Sequence, residues 1–262
     1  MKLKIYQIDA FTDTVFGGNP AAVCILDQWL DSKLMQKIAQ ENNLAETAFI
    51  VQKNANYELR WFTPEIEVDL CGHATLAAAY VLYHYHGHSE NTIRFHSHRS
   101  GSLSVQKAQN GYMTMNFPAD HIIAIQGNTA INNAIGLTPL RTIKGKTDYL
   151  LIYNSQEEIE QITPDFGLLN ELDCRGVIVS APGNDVDFVS RFFAPQCGIP
   201  EDPVTGSAHT TMTPYWAKVF NKTEMIAKQL SKRGGDLVCE FAGERVYISG
   251  KAVPYLTGEI SI

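Results

Sequence analysis

Apolar positions along this chain fall mostly into short runs broken by turn signals, and only a few stretches carry a helical pattern. "KLKIYQIDAF", "AAVCIL", "TAFIVQ", "YELRWFT", "TIRFHS", "GSLSVQK" and "GYMTMNFP" read as strands in the first part. Between them, Ser32 to Asn43 places Leu34, Met35, Ile38 and Ala39 on one face, the pattern of an amphipathic helix. The segment Leu70 to Tyr83 is apolar all round, which predicts a buried central helix. After Pro118 the stretch "ADHIIAIQGNT" reads as a loop. The style then repeats. A short helix is expected near Ile131–Ile135, strands at "DYLLIY", "RGVIVS" and "DFVSRFFAP", and a second buried helix from about Ser207. The Lys222–Lys232 region carries no assignment, and "DLVCEF", "RVYISG" and "YLTGEISI" close the chain as strands. Many strands around one buried helix per half imply an α+β protein of two similar domains, residues 1–118 and 119–262.

Composition changes the picture mainly by exclusion. Of 262 residues, 45% are hydrophobic and 19% charged, ordinary values for a globular protein with a real core. No apolar run reaches the ~18–20 residues of a membrane helix, and "MKLKIYQIDAF" lacks a signal-peptide layout. The formal net charge of −7, with no basic block, argues against nucleic acid and anionic membranes as partners. Cysteines 24, 71, 174, 197 and 239 are odd in number and never spaced C-x-x-C, so reduced thiols in a cytoplasmic protein are expected.

One internal repeat stands out. "RWFTP" (Arg60–Pro64) resembles "RFFAP" (Arg191–Pro195), and each precedes a glycine that opens a buried helix. Gly72 follows Arg60 by 12 residues, and Gly206 follows Arg191 by 15. Gly72-His73-Ala74 then aligns with Gly206-Ser207-Ala208. A glycine at a helix start lets a ligand approach the backbone, and the first N–H groups of a helix lack internal partners. Two such ends facing one cleft would make a pocket for an anion such as a carboxylate. Taken singly, either glycine reads as a simple cap; the pairing favours the pocket.

The blocks "DAFTDTVFGGNPAAV", "NLAETAF", "WFTPEIEVDLCGHATLAAAYVL", "EDPVTGSAH" and "ERVYISGKAV" resemble the signature blocks of the phenazine-biosynthesis PhzF family. They run from the first strand to the last. The resemblance implies the diaminopimelate-epimerase-like fold, with two pseudo-twofold-related domains, each a β-barrel-like sheet around a central helix. It also implies a homodimer and an isomerase that moves a proton on a small carboxylate, like trans-2,3-dihydro-3-hydroxyanthranilate, without cofactor or metal. Position by position, it makes Glu46 the acid/base and His73 and Asp202 polar substrate-binding residues. Ser207 and the backbone at Gly72 and Gly206 become the carboxylate-binding groups.

The residues themselves support and limit that reading. A lone glutamate at a strand entry is usually solvated; buried in an apolar cleft, its pKa would rise toward the range a general base needs. Cofactor-free epimerases of related design use a cysteine directly before each helix glycine. Here Cys71 fills the first place and Thr205 the second, and a threonine hydroxyl is too weak an acid for that role. An amino-acid or hydroxyproline-type epimerase is therefore the alternative enzyme, and a non-catalytic binding protein the alternative of another class. His84, His86, His88, His96 and His98 lack a carboxylate placed in a known metal pattern. "KGKT" at Lys144–Thr147 would need a glycine at position 140, which is Leu140, so it fails as a phosphate loop. Asn19-Pro20 reads as a rigid turn.

Overall fold

A computed structural model describes residues 1–262 as two compact units. Met1–Asn116 and Ser249–Ile262 form the first, and Phe117–Ile248 the second. The first holds β1 (Lys2–Ala10), β2 (Asn19–Leu26), α1 (Ser32–Asn42), β3 (Glu46–Lys53), β4 (Asn56–Phe62), β5 (Glu67–Val68), α2 (Gly72–Tyr85), β6 (Thr92–Ser97) and β7 (Gly101–Lys107). β8 (Met113–Pro118) leads out of it. The second holds β9 (Ile123–Ile125), α3 (Thr129–Ile135), β10 (Arg141–Lys144), β11 (Asp148–Ile152), α4 (Gln156–Gln161), α5 (Phe166–Asn170), β12 (Gly176–Pro182) and β13 (Phe188–Phe193). It continues with α6 (Gly206–Phe220), β14 (Glu224–Gln229) and β15 (Gly235–Ala242); β16 (Arg245–Gly250) leads back, and β17 (Ala252–Ser261) ends the chain.

The repeat read from five residues extends through the strand topology. In the first unit β1–β2 is antiparallel, β2–β3 parallel, β3–β4 antiparallel, β4–β6 parallel and β6–β7 antiparallel. In the second unit β10, β11, β12, β13, β14 and β15 pair with the same alternation. Each parallel step needs a crossover, and helices supply it: α1 and α2 in the first unit, α4–α5 and α6 in the second. α2 is buried along nearly its whole length, from His73 to Leu82 with only Tyr80 half-buried. Its alanines at 74, 77, 78 and 79 let strand side chains approach the helix axis closely.

The expectation of two contiguous halves needs one correction. Residues 249–262 belong to the first unit, because β17 pairs antiparallel with β1 from Lys2↔Ser261 to Ala10↔Ala252. A free β1 edge would leave a row of unpaired backbone groups, and the chain's last strand fills it.

Several elements lie where the pattern predicts none or only loop. β14 falls inside the unassigned Lys222–Lys232 region; it alternates cleanly, but with Ile226 exposed and Gln229 buried, which hides its period. α4 and α5 each bury only one residue, Ile159 and Leu169, and stand on their caps, Ser155 and Asp165. β9 is exposed throughout and exists by pairing with β10.

The repeated arginines have a structural task. Arg60 grips Glu67 through two hydrogen bonds of 2.7 Å, and Arg191 grips Glu201 at 2.7 and 3.0 Å. Each fork clamps the segment that leads from a strand into a buried helix. Glu67 precedes Gly72, and Glu201 precedes Gly206, by the same five residues, so the three-residue difference in the repeat lies ahead of the clamp. Burial opposes ionisation of Glu67, but Arg60, Arg99 and His98 outweigh it and hold its pKa below the ordinary 4.5. Its contribution is thus present above that value and lost as pH falls through the lowered one. Arg60→Leu should cost about 2–3 kcal/mol at pH 7, because a mostly buried carboxylate loses its bidentate partner. Urea unfolding at pH 7 and again near pH 3 should show that difference shrinking in acid.

Candidate functional site

Glu46 opens β3, in register with Ala21 of the parallel strand β2. The chain reaches it by a left-handed turn at Asn43, whose N–H donates to Ala39 O at the end of α1. The Glu46 side chain is buried, and its Oε2 lies 3.0 Å from His73 Nε2. That approach is within ion-pair distance. The wall beside Glu46 is therefore not simply apolar, as the sequence suggested: an imidazole faces it.

His73 is the second residue of α2 and is itself buried. Its Nδ1 lies 3.1 Å from Asn19 Nδ2 and 3.5 Å from Cys71 Sγ. With the Asn19 N–H facing Nδ1, a neutral ring carries its proton on Nε2, toward Glu46. Turned over, the same amide presents its oxygen to a protonated Nδ1, so Asn19 can serve either state. Burial disfavours the imidazolium, but Cys71 and Glu46 outweigh it and raise the His73 pKa well above 6.5. Burial and the Glu46 charge push the Cys71 thiol up to about 11, so it is protonated at neutral pH. The charge that keeps a proton on His73 is then the Glu46 carboxylate. Glu46, Cys71 and His73 place an oxygen, a sulfur and a nitrogen within 4.8 Å of one another, the one cluster here with the donor types to hold a divalent ion.

In the second unit, Asp202 is buried at the turn before α6. The Thr205 hydroxyl donates to Asp202 Oδ2. Gln229, fully buried on β14, completes a small network: its Nε2 donates to Asp202 O at 2.7 Å, and its Oε1 accepts from Thr205 N at 2.9 Å. Thr205 occupies the N-cap of α6, where threonine normally satisfies an orphan N–H, yet its side chain makes no cap bond. Cys71 at the N-cap of α2 makes none either. Gly72–His73 and Gly206–Ser207 thus begin two buried helices without a side-chain cap on their first N–H groups, the state an anion site requires.

The structure accordingly joins Glu46, His73 and Cys71 in one cluster of the first unit, and Asp202, Gly206 and Ser207 around one helix start in the second. Two partners escaped sequence reasoning. Asn19 read as a turn residue, and Gln229 sits in a strand that itself went unread. A buried glutamine within an alternating strand was the only signal for the latter. The tempting histidines have local partners. His84 Nδ1 lies 2.9 Å from Tyr80 O, one turn back in α2, His86 stands at that helix's C-cap, and His88 Nδ1 lies 3.2 Å from the Tyr57 hydroxyl. No helix is long and apolar enough to cross a membrane.

Residues 8–258 match the PhzC-PhzF family model, described as phenazine biosynthesis-like protein. The chain belongs to the PhzF family. An uncharacterized isomerase of Pseudomonas aeruginosa is 48% identical over 262 residues, spanning the whole of both chains. The crystal structure of a PhzF-family protein from Enterococcus faecalis superposes with a TM-score of 0.97 at 46% identity, covering all of both chains. A hydroxyproline epimerase from Agrobacterium vitis matches over 99% of this chain and 92% of its own at a TM-score of 0.63; at 10% identity it shares the fold alone. With curated relatives named isomerases along its full length, this PhzF-family chain is an isomerase by class.

Proposed function

We propose that the protein is a cofactor-independent isomerase that shifts a proton between carbons of a small carboxylate similar to trans-2,3-dihydro-3-hydroxyanthranilate, with Glu46 as its single acid/base. The observation that carries this reading is the buried Glu46 carboxylate, whose Oε2 is held 3.0 Å from His73 Nε2. A carboxylate so placed can take a proton from carbon and return it to another position, which is all an isomerisation needs. His73, which keeps its proton beside this carboxylate, steadies the anion before abstraction. Asp202, Gly72, Gly206 and Ser207 enter as substrate-binding groups through the family resemblance, and the uncapped helix starts support that role.

Two-base epimerisation is less well supported. The Thr205 hydroxyl, at the second cysteine's place, already donates to Asp202, and the Cys71 thiol is pushed away from thiolate. A screen of small unsaturated carboxylates in heavy water, followed by NMR, tests the choice. The expected result is deuterium incorporation together with a moved double bond. Inversion at one carbon without a double-bond shift would replace this reading with an epimerase, and the absence of any exchange across the screen would favour a binding protein.

A further inference from the structure

The "KGKT" stretch fails as a phosphate loop, yet it has a definite place in the fold. Lys144 ends β10, and residues 145–147 turn into β11, closed by Gly145 N–H donating to Asp148 O at 2.9 Å. This turn forms one wall of a cavity of about 580 Å³ that lies wholly within the second unit. Asp120, Arg175 and the face of α6 bearing Ser207 and Thr211 form its other walls. The volume is that of a small-molecule site.

The wall is built by interlocking requirements. A Cβ on Gly145 would come within 2.3 Å of Asp120 Oδ2, so glycine is what lets that carboxylate reach the turn. Asp120 accepts the Lys146 N–H at 3.2 Å and the Thr211 hydroxyl at 2.8 Å. Its own N–H donates to Thr210 O at 3.2 Å. That carbonyl is open because Pro214, four residues further along α6, has no N–H to give it. A proline inside a buried helix thus anchors the helix to the turn.

The charges are unevenly satisfied. Asp148 is held by Arg175 through a two-point ion pair, and Asp120 is engaged as above. Lys144 Nζ sits 3.7 Å from the centre of the Tyr149 ring, and neither the Lys144 nor the Lys146 ammonium forms an ion pair. Over the cavity lining, Lys144, Lys146 and Arg175 outnumber Asp120 and Asp148 by one, an excess of positive charge that lies on the lysine turn.

We propose that this cavity binds an anionic group of a small molecule, a carboxylate or a phosphate, with Lys144 and Lys146 as its counter-charges. Because Ser207 lines the same cavity, the substrate is a small carboxylate that carries a second anionic group, one at α6 and one at the lysine turn, and so differs there from trans-2,3-dihydro-3-hydroxyanthranilate, which has only one. This second clause rests on the proposed function; the cavity's preference for anions does not.

The test uses the full chain and three probes: inorganic phosphate, glutarate, and butyrate as a one-charge control. Amide shifts at Lys146, Thr147 and Ser207 should respond to phosphate and glutarate. Calorimetry should show glutarate binding at least tenfold tighter than butyrate. The double variant K144A/K146A should lose at least tenfold in phosphate affinity, and K144R/K146R should restore it to within about threefold. Phosphate affinity unchanged in K144A/K146A, or shifts confined to other residues, overturns the site. Butyrate binding as tightly as glutarate overturns the two-anion substrate class. Glu46→Gln should leave phosphate binding intact, so a failure of Glu46 as the acid/base would be seen separately from a failure of the cavity.

Discussion

Glu46→Gln should lower turnover and solvent hydrogen exchange by about 10²–10⁴-fold, the contribution of a positioned general base. Glutamine keeps the size and shape of the side chain but cannot take a proton. Affinity for a non-reacting carboxylate analogue should change far less, since anion capture is assigned to Gly72, Gly206 and Ser207. A second readout separates chemistry from packing. With the carboxylate gone, burial opposes the imidazolium with less resistance, so the His73 ring should titrate lower in the variant than in the parent, as read by NMR of its ring protons. Near-normal turnover in Glu46→Gln would defeat the mechanism. Loss of affinity and rate together would make Glu46 a binding residue and reopen the choice of base between His73 and Asp202.

The second large effect concerns stability in acid. His209 is fully buried one turn into α6, where its Nδ1 donates to Thr205 O at 2.9 Å. Burial lowers its pKa from 6.5 to about 4, with the Thr205 carbonyl opposing only weakly. The unfolded chain binds a proton there near pH 6.5 and the folded chain does not, so its contribution is complete above pH 6.5 and is lost as pH falls toward 4. The full loss is about 3 kcal/mol by linkage. His73 has the opposite sign: its raised pKa adds stability that is present below 6.5 and fades as pH rises through the folded value. Urea unfolding at pH 7.5 and pH 4.5 should show the parent losing stability in acid, and His209→Gln should flatten that acid arm alone. An acid arm of the same slope in both proteins would show that His209 titrates normally.

Much of the molecule was legible without coordinates, because its information is local or periodic. The amphipathic face of α1, the all-apolar α2 and the alternating strands follow from side-chain period, which a single strand or helix imposes on its own residues. The duplication was legible as well, since "RWFTP" and "RFFAP" encode the same clamp, and the constant spacing from Glu67 to Gly72 and from Glu201 to Gly206 preserves the same entry into a buried helix. Glu46, His73, Asp202 and the two glycines could be nominated from their blocks. Their partners could not. The contact of Glu46 with His73 spans 27 positions and that of His73 with Asn19 spans 54, and no local pattern reports a meeting at such separation. β17 joined the first unit because β1 offers an open edge, and β14 formed although exposed Ile226 and buried Gln229 hide its period. A motif that fails as a phosphate loop became a cavity wall because Gly145, Asp120 and Thr211, distant in the chain, meet in space. Periodicity records what each segment must bury; which segments bury it together is decided by packing, and the chemistry of the site resides in those meetings.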